Sequence, residues 1–290
     1  MLDRRGAARV QELTMSTQSM RSPELAVETF ELVRRFGDFT AVDGVNLRVE
    51  RGQFYGFLGP NGAGKSTTIK MLTGLLQPTE GRVRVLGRDL AGETLEVKQR
   101  IGVVPEDLNL FERLTGAEML TFTGRMYGLA REETRERGRE LLALMELDGE
   151  PKKLVVEYSH GMKKKLSLAC ALIHRPEILF LDEPFEGVDA LASRTLKDLL
   201  LKLTARGITV FLTSHVLEIV ERLCSHIAII TEGRLVVEGA LDELRRGIAL
   251  EGGGEGEGGG GGSPVSLEDY FIRVIGGARP AGEDVLPWLT

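Results

Sequence analysis

Residues 59–67 read GPNGAGKST, and no other stretch restricts the chain so tightly. Gly62 and Gly64 let the backbone curl until consecutive N–H groups face one point, and a helix starting at once adds its positive end. The flanks supply the elements this requires. FYGFLG (54–59) reads as a strand running into the turn, and KSTTIKMLTGLL (65–76) has helical apolar spacing that stops before Pro78. Strand, G-x-x-x-x-G-K-[ST] and helix together make a P-loop. Gly59, Asn61, Gly62, Ala63, Gly64 and Thr67 are then expected around the phosphates of ATP. Lys65 meets the β and γ phosphates, and the Ser66 hydroxyl is placed to ligate Mg²⁺.

Two further runs tell what sheet the loop belongs to. EILFLDE (177–183) and ITVFLTSH (208–215) are continuously apolar and bounded by polar residues, as expected of strands covered on both faces in a parallel sheet. Asp182 and Glu183 end the first of these, where ligands gather in an α/β sheet. Asp182 is expected to hold Mg²⁺ through water, and Glu183 to polarise the attacking water as a general base.

Around this core, residues 25–54 alternate apolar and polar positions with Gly punctuation and predict an antiparallel β-layer. Residues 112–150 have helical periodicity, and their charged middle, REETRERGRE (131–140), reads as a solvated helix face with intrahelical ion pairs. A helix is predicted over 190–205. HIAIITEGRLVVEG (226–239) predicts a strand pair turning at Glu232-Gly233, followed by a short helix, LDELRR. GGGEGEGGGGG (252–262) cannot bury apolar surface and should behave as a flexible coil with a reach of roughly 18 Å. Ser266 can cap a helix beyond it, with Leu267, Phe271 and Val274 on one face. The expected fold is α/β: a P-loop NTPase core with a mostly parallel sheet, an N-terminal antiparallel β-layer and an α-helical subdomain.

YSHGMKKKL (158–166) stands between the helical stretch and Asp182. Ser159 lies 94 residues after Lys65 and 23 before Asp182. With these motifs in this order, residues from about 25 to 247 resemble the nucleotide-binding subunit of ATP-binding cassette (ABC) transporters, most closely the ABC-2 or efflux type. The resemblance implies boundaries: a tail at 1–22, the ATPase domain at 23–247 with its helical subdomain at about 112–165, a Gly-rich linker at 248–264, and a C-terminal helix and tail at 265–290. It also implies roles. Phe36 in RRFGDFTAV matches the aromatic that stacks on adenine, with Phe39 a close competitor. Asp189 matches the Asp that touches the opposite subunit's nucleotide loop, and His215 the switch histidine at the γ-phosphate and catalytic water. Ser159 and Gly161 match the signature residues that hold the γ-phosphate bound to the other subunit. Lys65, Glu183 and His215 are the catalytic set.

Two places depart from the family pattern. Glu106 in IGVVPEDLNLF stands where Gln is usual, at a metal-ligating position near the docking site of the membrane partner. Tyr158, His160 and Met162 replace the other letters of Leu-Ser-Gly-Gly-Gln. Lys163, Lys164 and Lys165 then oppose the helix dipole at a cost of a few tenths to about 1 kcal/mol each. Attraction to phosphate would offset this; the bland alternative is an exposed basic turn.

The remaining composition narrows partners. With 37 Lys and Arg against 43 Asp and Glu the net charge is −6, so no global basic field exists and no nucleic acid is expected. Residues 1–22 lack the apolar core of a secretory signal. No run of about 18 or more uncharged apolar residues occurs, so a membrane role needs a partner. Cys170 and Cys224 read as buried thiols of a reducing cytoplasm. His174 and His226 read as structural. The resemblance therefore implies an ATPase that powers a separately encoded permease, an exporter, at the cytoplasmic face of the membrane. It would act as a homodimer or beside a paralogous subunit. A soluble ABC-type ATPase acting on a macromolecule is the alternative.

Overall fold

Residues buried on both sides of a strand leave it nowhere to lie but inside a covered sheet, and three strands here are buried at every position: Phe54–Leu58, Ile178–Asp182 and Thr209–Ser214. In the computed structural model, which describes residues 24–251 and 271–272, these three are neighbours. Strands are numbered β1 (Leu25–Phe36), β2 (Phe39–Val45), β3 (Arg48–Glu50), β4 (Phe54–Leu58), β5 (Glu80–Val85), β6 (Arg88–Asp89), β7 (Ile101–Val104), β8 (Ile178–Asp182), β9 (Thr209–Ser214), β10 (His226–Thr231) and β11 (Arg234–Ala240). Helices are α1 (Lys65–Leu72), α2 (Thr94–Lys98), α3 (Gly116–Met126), α4 (Arg131–Leu144), α5 (His160–Leu172), α6 (Ala190–Ala205), α7 (Leu217–Leu223) and α8 (Leu241–Glu251). The main sheet has six strands in the order β11-β10-β4-β9-β8-β7. Its pairs are parallel except for the β10–β11 hairpin.

Side chains alternate between two cores on the faces of this sheet. Leu179, Leu181, Val210 and Leu212 point to the core shared with α5, α6 and α7. Phe180, Phe211, Tyr55 and Phe57 point to the other, which holds α1 and the second sheet. That second sheet is antiparallel, with β2, β1, β5 and β6 side by side and β3 paired to β1. The Tyr55 and Phe211 rings stack at 5.4 Å, and the Tyr55 hydroxyl donates to Glu238 at 2.7 Å. Aromatic packing with a satisfied polar tip thus ties β4 to β9 and β11 within the main sheet.

The helical subdomain enters between β7 and β8. Thr115 caps α3 in a capping box with Glu118, which satisfies donors at both ends of the motif. The charged run of α4 is largely solvated, with Glu133 and Arg137 paired one turn apart, while Thr134, Gly138 and Leu142 face inward. Residue 165, the expected limit of the subdomain, falls inside α5. This helix runs to Leu172 with Lys164–Ala171 buried, and so ties the subdomain to the main sheet. α8 continues through Gly247 to Glu251. A single Gly inside a helix costs about 1 kcal/mol and does not end it. The tail at 1–22, the stretch 252–262 and the predicted C-terminal helix lie outside the described residues, except Phe271 and Ile272. Phe271 packs against the core shared with α5, α6 and α7.

Close packing of α5 on the sheet depends on Gly102 in β7. A Cβ there would stand 2.4 Å from the Ala171 carbonyl oxygen and 2.6 Å from the Leu179 side chain. Gly102→Ala is therefore expected to destabilise the domain by about 1–3 kcal/mol. Urea unfolding followed by circular dichroism checks this; an unchanged midpoint contradicts it.

Candidate active site

The P-loop follows β4 because only glycine fits where it bends. A Cβ on Gly59 would lie 2.3 Å from the Ile230 carbonyl oxygen. Gly64 has φ of 104°, the left-handed region, and a Cβ there would lie 2.5 Å from the Ala41 oxygen. α1 begins directly after Gly64 with no side chain capping it. Its first-turn N–H groups therefore have no intrahelical acceptor and point into a cleft of about 320 Å³. Asn61, Gly62, Gly64, Lys65, Ser66 and Thr67 line this cleft, facing Glu106 and Glu183. A helix start uncapped by any side chain suits an anion.

Two titratable pairs occupy the floor. Lys65 Nζ donates to the carbonyl oxygens of Gly59 at 2.8 Å and Pro60 at 3.1 Å, and lies 3.3 Å from Glu183 Oε1. The geometry to Oε1 is not that of a hydrogen bond, and this buried oxygen has no hydrogen-bond partner. Glu183 Oε2 lies 3.1 Å from His215 Nδ1. One carboxylate thus stands between an ammonium and an imidazole, with an acceptor atom left open. Glu183 itself has φ of 46°, a left-handed conformation that costs a non-glycine residue roughly 1–2 kcal/mol. Its N–H donates to Thr213 Oγ1 at 3.0 Å, and its carbonyl accepts from the N–H of Glu186 at 3.2 Å and from Lys164 Nζ at 3.1 Å.

A set of oxygens lies beside this pair. Ser66 Oγ is 3.2 Å from Asp182 Oδ1 and 3.3 Å from Glu106 Oε2, and its single proton serves one of them at a time. Asp182 Oδ1 also accepts from Thr213 Oγ1 at 2.6 Å. Among the described residues no group of three or more His, Cys, Asp or Glu is arranged to hold a metal. The donors here are hydroxyl and carboxylate oxygens, chemistry that fits a hard cation completed by phosphate and water.

Ser159, Gly161 and Asp189 do not line this cleft. Gly161 meets Asp189 instead, with Ser159 at the start of the same helix as Gly161. Ser159 caps α5, its Oγ accepting from the Met162 N–H at 3.2 Å, and Asp189 caps α6, accepting from the Ala192 N–H at 2.9 Å. A Cβ on Gly161 would stand 3.2 Å from Asp189 Oδ2. Two helix N-termini therefore form one surface. The His160 ring covers Gly187, whose φ of 65° admits little else.

Several expectations change. Phe36 does not line the cleft; it is 46% exposed, with the Arg34 guanidinium 4.5 Å above its ring. Phe39, 63% exposed across the same hairpin, does line it. Lys164 and Lys165 are buried and so do not form an exposed basic turn, and each of Lys163, Lys164 and Lys165 finds a partner within the chain. Lys163 pairs with Glu112 at 3.0 Å, Lys165 with Glu146 at 2.8 Å, and Lys164 donates to backbone carbonyls while buried. Burial lowers the pKa of Lys164, against the raising influence of Glu186, Asp182, Glu106 and Glu183. Thr213 was not singled out by sequence, although a hydroxyl in a strand buried on both faces needs partners and so signals a network. His174 bonds the Ile101 carbonyl at 2.9 Å and stacks on Tyr127, and burial lowers its pKa. Both cysteines are buried free thiols, and burial pushes Cys170 up to about 11.

A P-loop on a parallel sheet, with a buried carboxylate behind it and a helical subdomain at its side, defines a P-loop ATPase. A sequence model described as ABC transporter matches residues 42–186. The chain belongs to the ABC transporter family as an ATP-binding subunit, and it is an ATPase. The Nod factor export ATP-binding protein I of Paraburkholderia xenovorans is 38% identical over 90% of this chain and 85% of its own. The Daunorubicin/doxorubicin resistance ATP-binding protein DrrA of Streptomyces peucetius is 40% identical over 81% of this chain and 70% of its own. A solved ATP-binding subunit of an ABC transporter superposes with a TM-score of 0.75 at 31% identity, covering 86% of this chain and 99% of that one. A dimeric ATP-binding cassette in a post-hydrolysis state, bound to ADP and Pi, superposes at 0.69 and 26% identity over 74% and 98%.

Thr213 holds Asp182 and the Glu183 backbone with one hydroxyl. Thr213→Val leaves a buried N–H without an acceptor and is expected to cost about 1–3 kcal/mol of stability, with a loss of ATP turnover. Thermal unfolding together with phosphate release checks both, and a variant with parental values for each contradicts the assignment.

Proposed function

We propose that this ATPase powers a separately encoded membrane permease, as two copies that close over two ATP molecules. The observation that carries the reading is the split site. The cleft is lined by the P-loop, Glu106 and Glu183, with Asp182 held to Ser66 and His215 to Glu183, while Ser159, Gly161 and Asp189 lie outside that lining, on a second surface. A second copy that brings its helix N-termini onto the cleft completes the site. The dimeric relative bound to ADP and Pi supports that arrangement.

In this reading the first-turn N–H groups and Lys65 hold the β and γ phosphates, and Phe39 or Phe36 stacks on the base. Ser66, Asp182 and Glu106 would hold Mg²⁺, which neutralises phosphate charge when bound. Glu183 takes the proton of the attacking water, and its open Oε1 is the acceptor for it. His215 orients Glu183 and faces the γ-phosphate. Export is favoured because the relatives are named for Nod factor export and for daunorubicin/doxorubicin resistance. No helix among the described residues is long and apolar enough to cross a membrane, so attachment runs through the permease, at the cytoplasmic face. Beyond Glu106 the exposed Phe111 and Phe122 rings meet edge to face at 5.0 Å. They offer an apolar seat for a permease segment.

Two experiments test this. Glu183→Gln keeps the shape and removes the base, so turnover is expected to fall about 10²–10⁴-fold with ATP binding retained; near-parental turnover removes Glu183 from that role. Lys65→Ala and Ser159→Ala are each expected to be inactive. Mixed in equal amounts they should recover roughly a quarter of parental activity, because half of randomly paired dimers are mixed and each keeps one complete site. A mixture that stays inactive rules out completion by a second copy.

A further inference from the structure

Lys164 lies on α5, the helix that presents Ser159 and Gly161, yet its tip belongs to the other half of the machinery. The residue is 2% exposed. It lines a small gap together with the apolar Val104, Leu168, Leu181, Pro184, Leu196 and Leu200. Its ammonium donates to the carbonyl oxygens of Glu183 at 3.1 Å and Glu106 at 3.4 Å. Among the described residues no carboxylate oxygen lies within ion-pair distance of Nζ. A buried ammonium without a close counter-ion is expensive, and an apolar side chain would fit this gap at lower cost. The fold alone therefore does not account for a lysine here.

What the lysine does hold is the backbone of Glu183. That residue is strained, with φ of 46°, and its N–H is fixed by Thr213 on the β9 side. Lys164 fixes the carbonyl on the α5 side. A residue in a sparsely populated backbone region persists only where its surroundings over-determine it. The carbonyl also accepts from the Glu186 N–H at 3.2 Å, within the same turn; of these restraints only Lys164 ties the carbonyl to α5, and removing it lets the peptide relax and swings the carboxylate away from Lys65 and His215.

We propose that Lys164 is a positioning residue for ATP hydrolysis, setting the carboxylate of Glu183 in its own chain although it sits on the helix that serves the partner's nucleotide. The inference rests on Glu183 acting as base. It also assigns Lys164 to the half-site opposite to that of Ser159, five residues earlier on the same helix.

The test uses the full chain. Lys164→Met is expected to lower kcat by about tenfold or more, as a misplaced reacting group does, with ATP affinity within about twofold of the parent and Tm no lower. Lys164→Gln, which keeps a donor, should regain part of the lost kcat. Parental kcat in Lys164→Met overturns the proposal, and if Glu183→Gln is inactive in the same assay the base reading stands without it. Failure of Lys164→Met to fold, or a lower Tm with kcat intact, assigns the residue to the fold alone and also overturns it. Mixed dimers locate the effect. Added to the Ser159→Ala chain, which carries the intact Lys65, Lys164→Met should lower the recovered activity. Added to the Lys65→Ala chain it should not, and a loss confined to that second arrangement shows that Lys164 acts through Ser159 instead.

Discussion

An ammonium and a carboxylate, both almost out of water, stand 3.3 Å apart where the P-loop faces the end of β8. Desolvating two charges costs more than a single contact returns unless other polar groups join in. The structure around them meets that demand. Carbonyls of Gly59 and Pro60 accept from Lys65, His215 approaches the other carboxylate oxygen, and Thr213 and Lys164 hold the backbone beneath Glu183. Four segments distant in sequence must agree on one geometry, and the parallel sheet is what brings them together. β4, β8 and β9 are adjacent, so the residues leaving their C-terminal ends converge at one edge.

The same sheet explains why one chain carries two surfaces. The helical subdomain is inserted between β7 and β8, and α5 returns from it to the core. Its N-terminus stays at the outer surface while its middle packs under the sheet. Movement at one end of a rigid helix is felt along its length. The carbonyls of Glu106 and Glu183, which end the segments after β7 and β8, meet this helix through one side chain.

Much of this was legible in the residues. The glycines of the P-loop announce a backbone that admits no Cβ, and Gly59 and Gly64 have none to spare. ILFLD and TVFLTS are apolar on both faces, which only a covered strand tolerates. The rest was hidden for physical reasons. Phe36 and Phe39 pair across a two-residue turn, so only the twist of that hairpin decides which ring meets the cleft. Three lysines in a row look exposed by charge, but Lys164 is one turn on from Gly161 and one turn before Leu168, on the buried side. A change of composition need not coincide with the end of a helix, and α5 and α8 run through residues 165 and 247.

The letters that depart from the family signature share one property. The Tyr158 hydroxyl lies where a Cβ on Gly116 would stand, Met162 packs on the core, and the His160 ring lies over Gly187. Each of the three is occupied within its own chain. What the second surface offers outward is the exposed Ser159 hydroxyl at a helix start, while the missing Cβ of Gly161 lets α5 approach Asp189 and Ala192 of α6. In the proposed dimer, a recognition element made from backbone and one small hydroxyl gives evolution latitude in its spelling. Its identity is kept by the position of a helix end, and the letters around it are free to follow the needs of the domain that carries them.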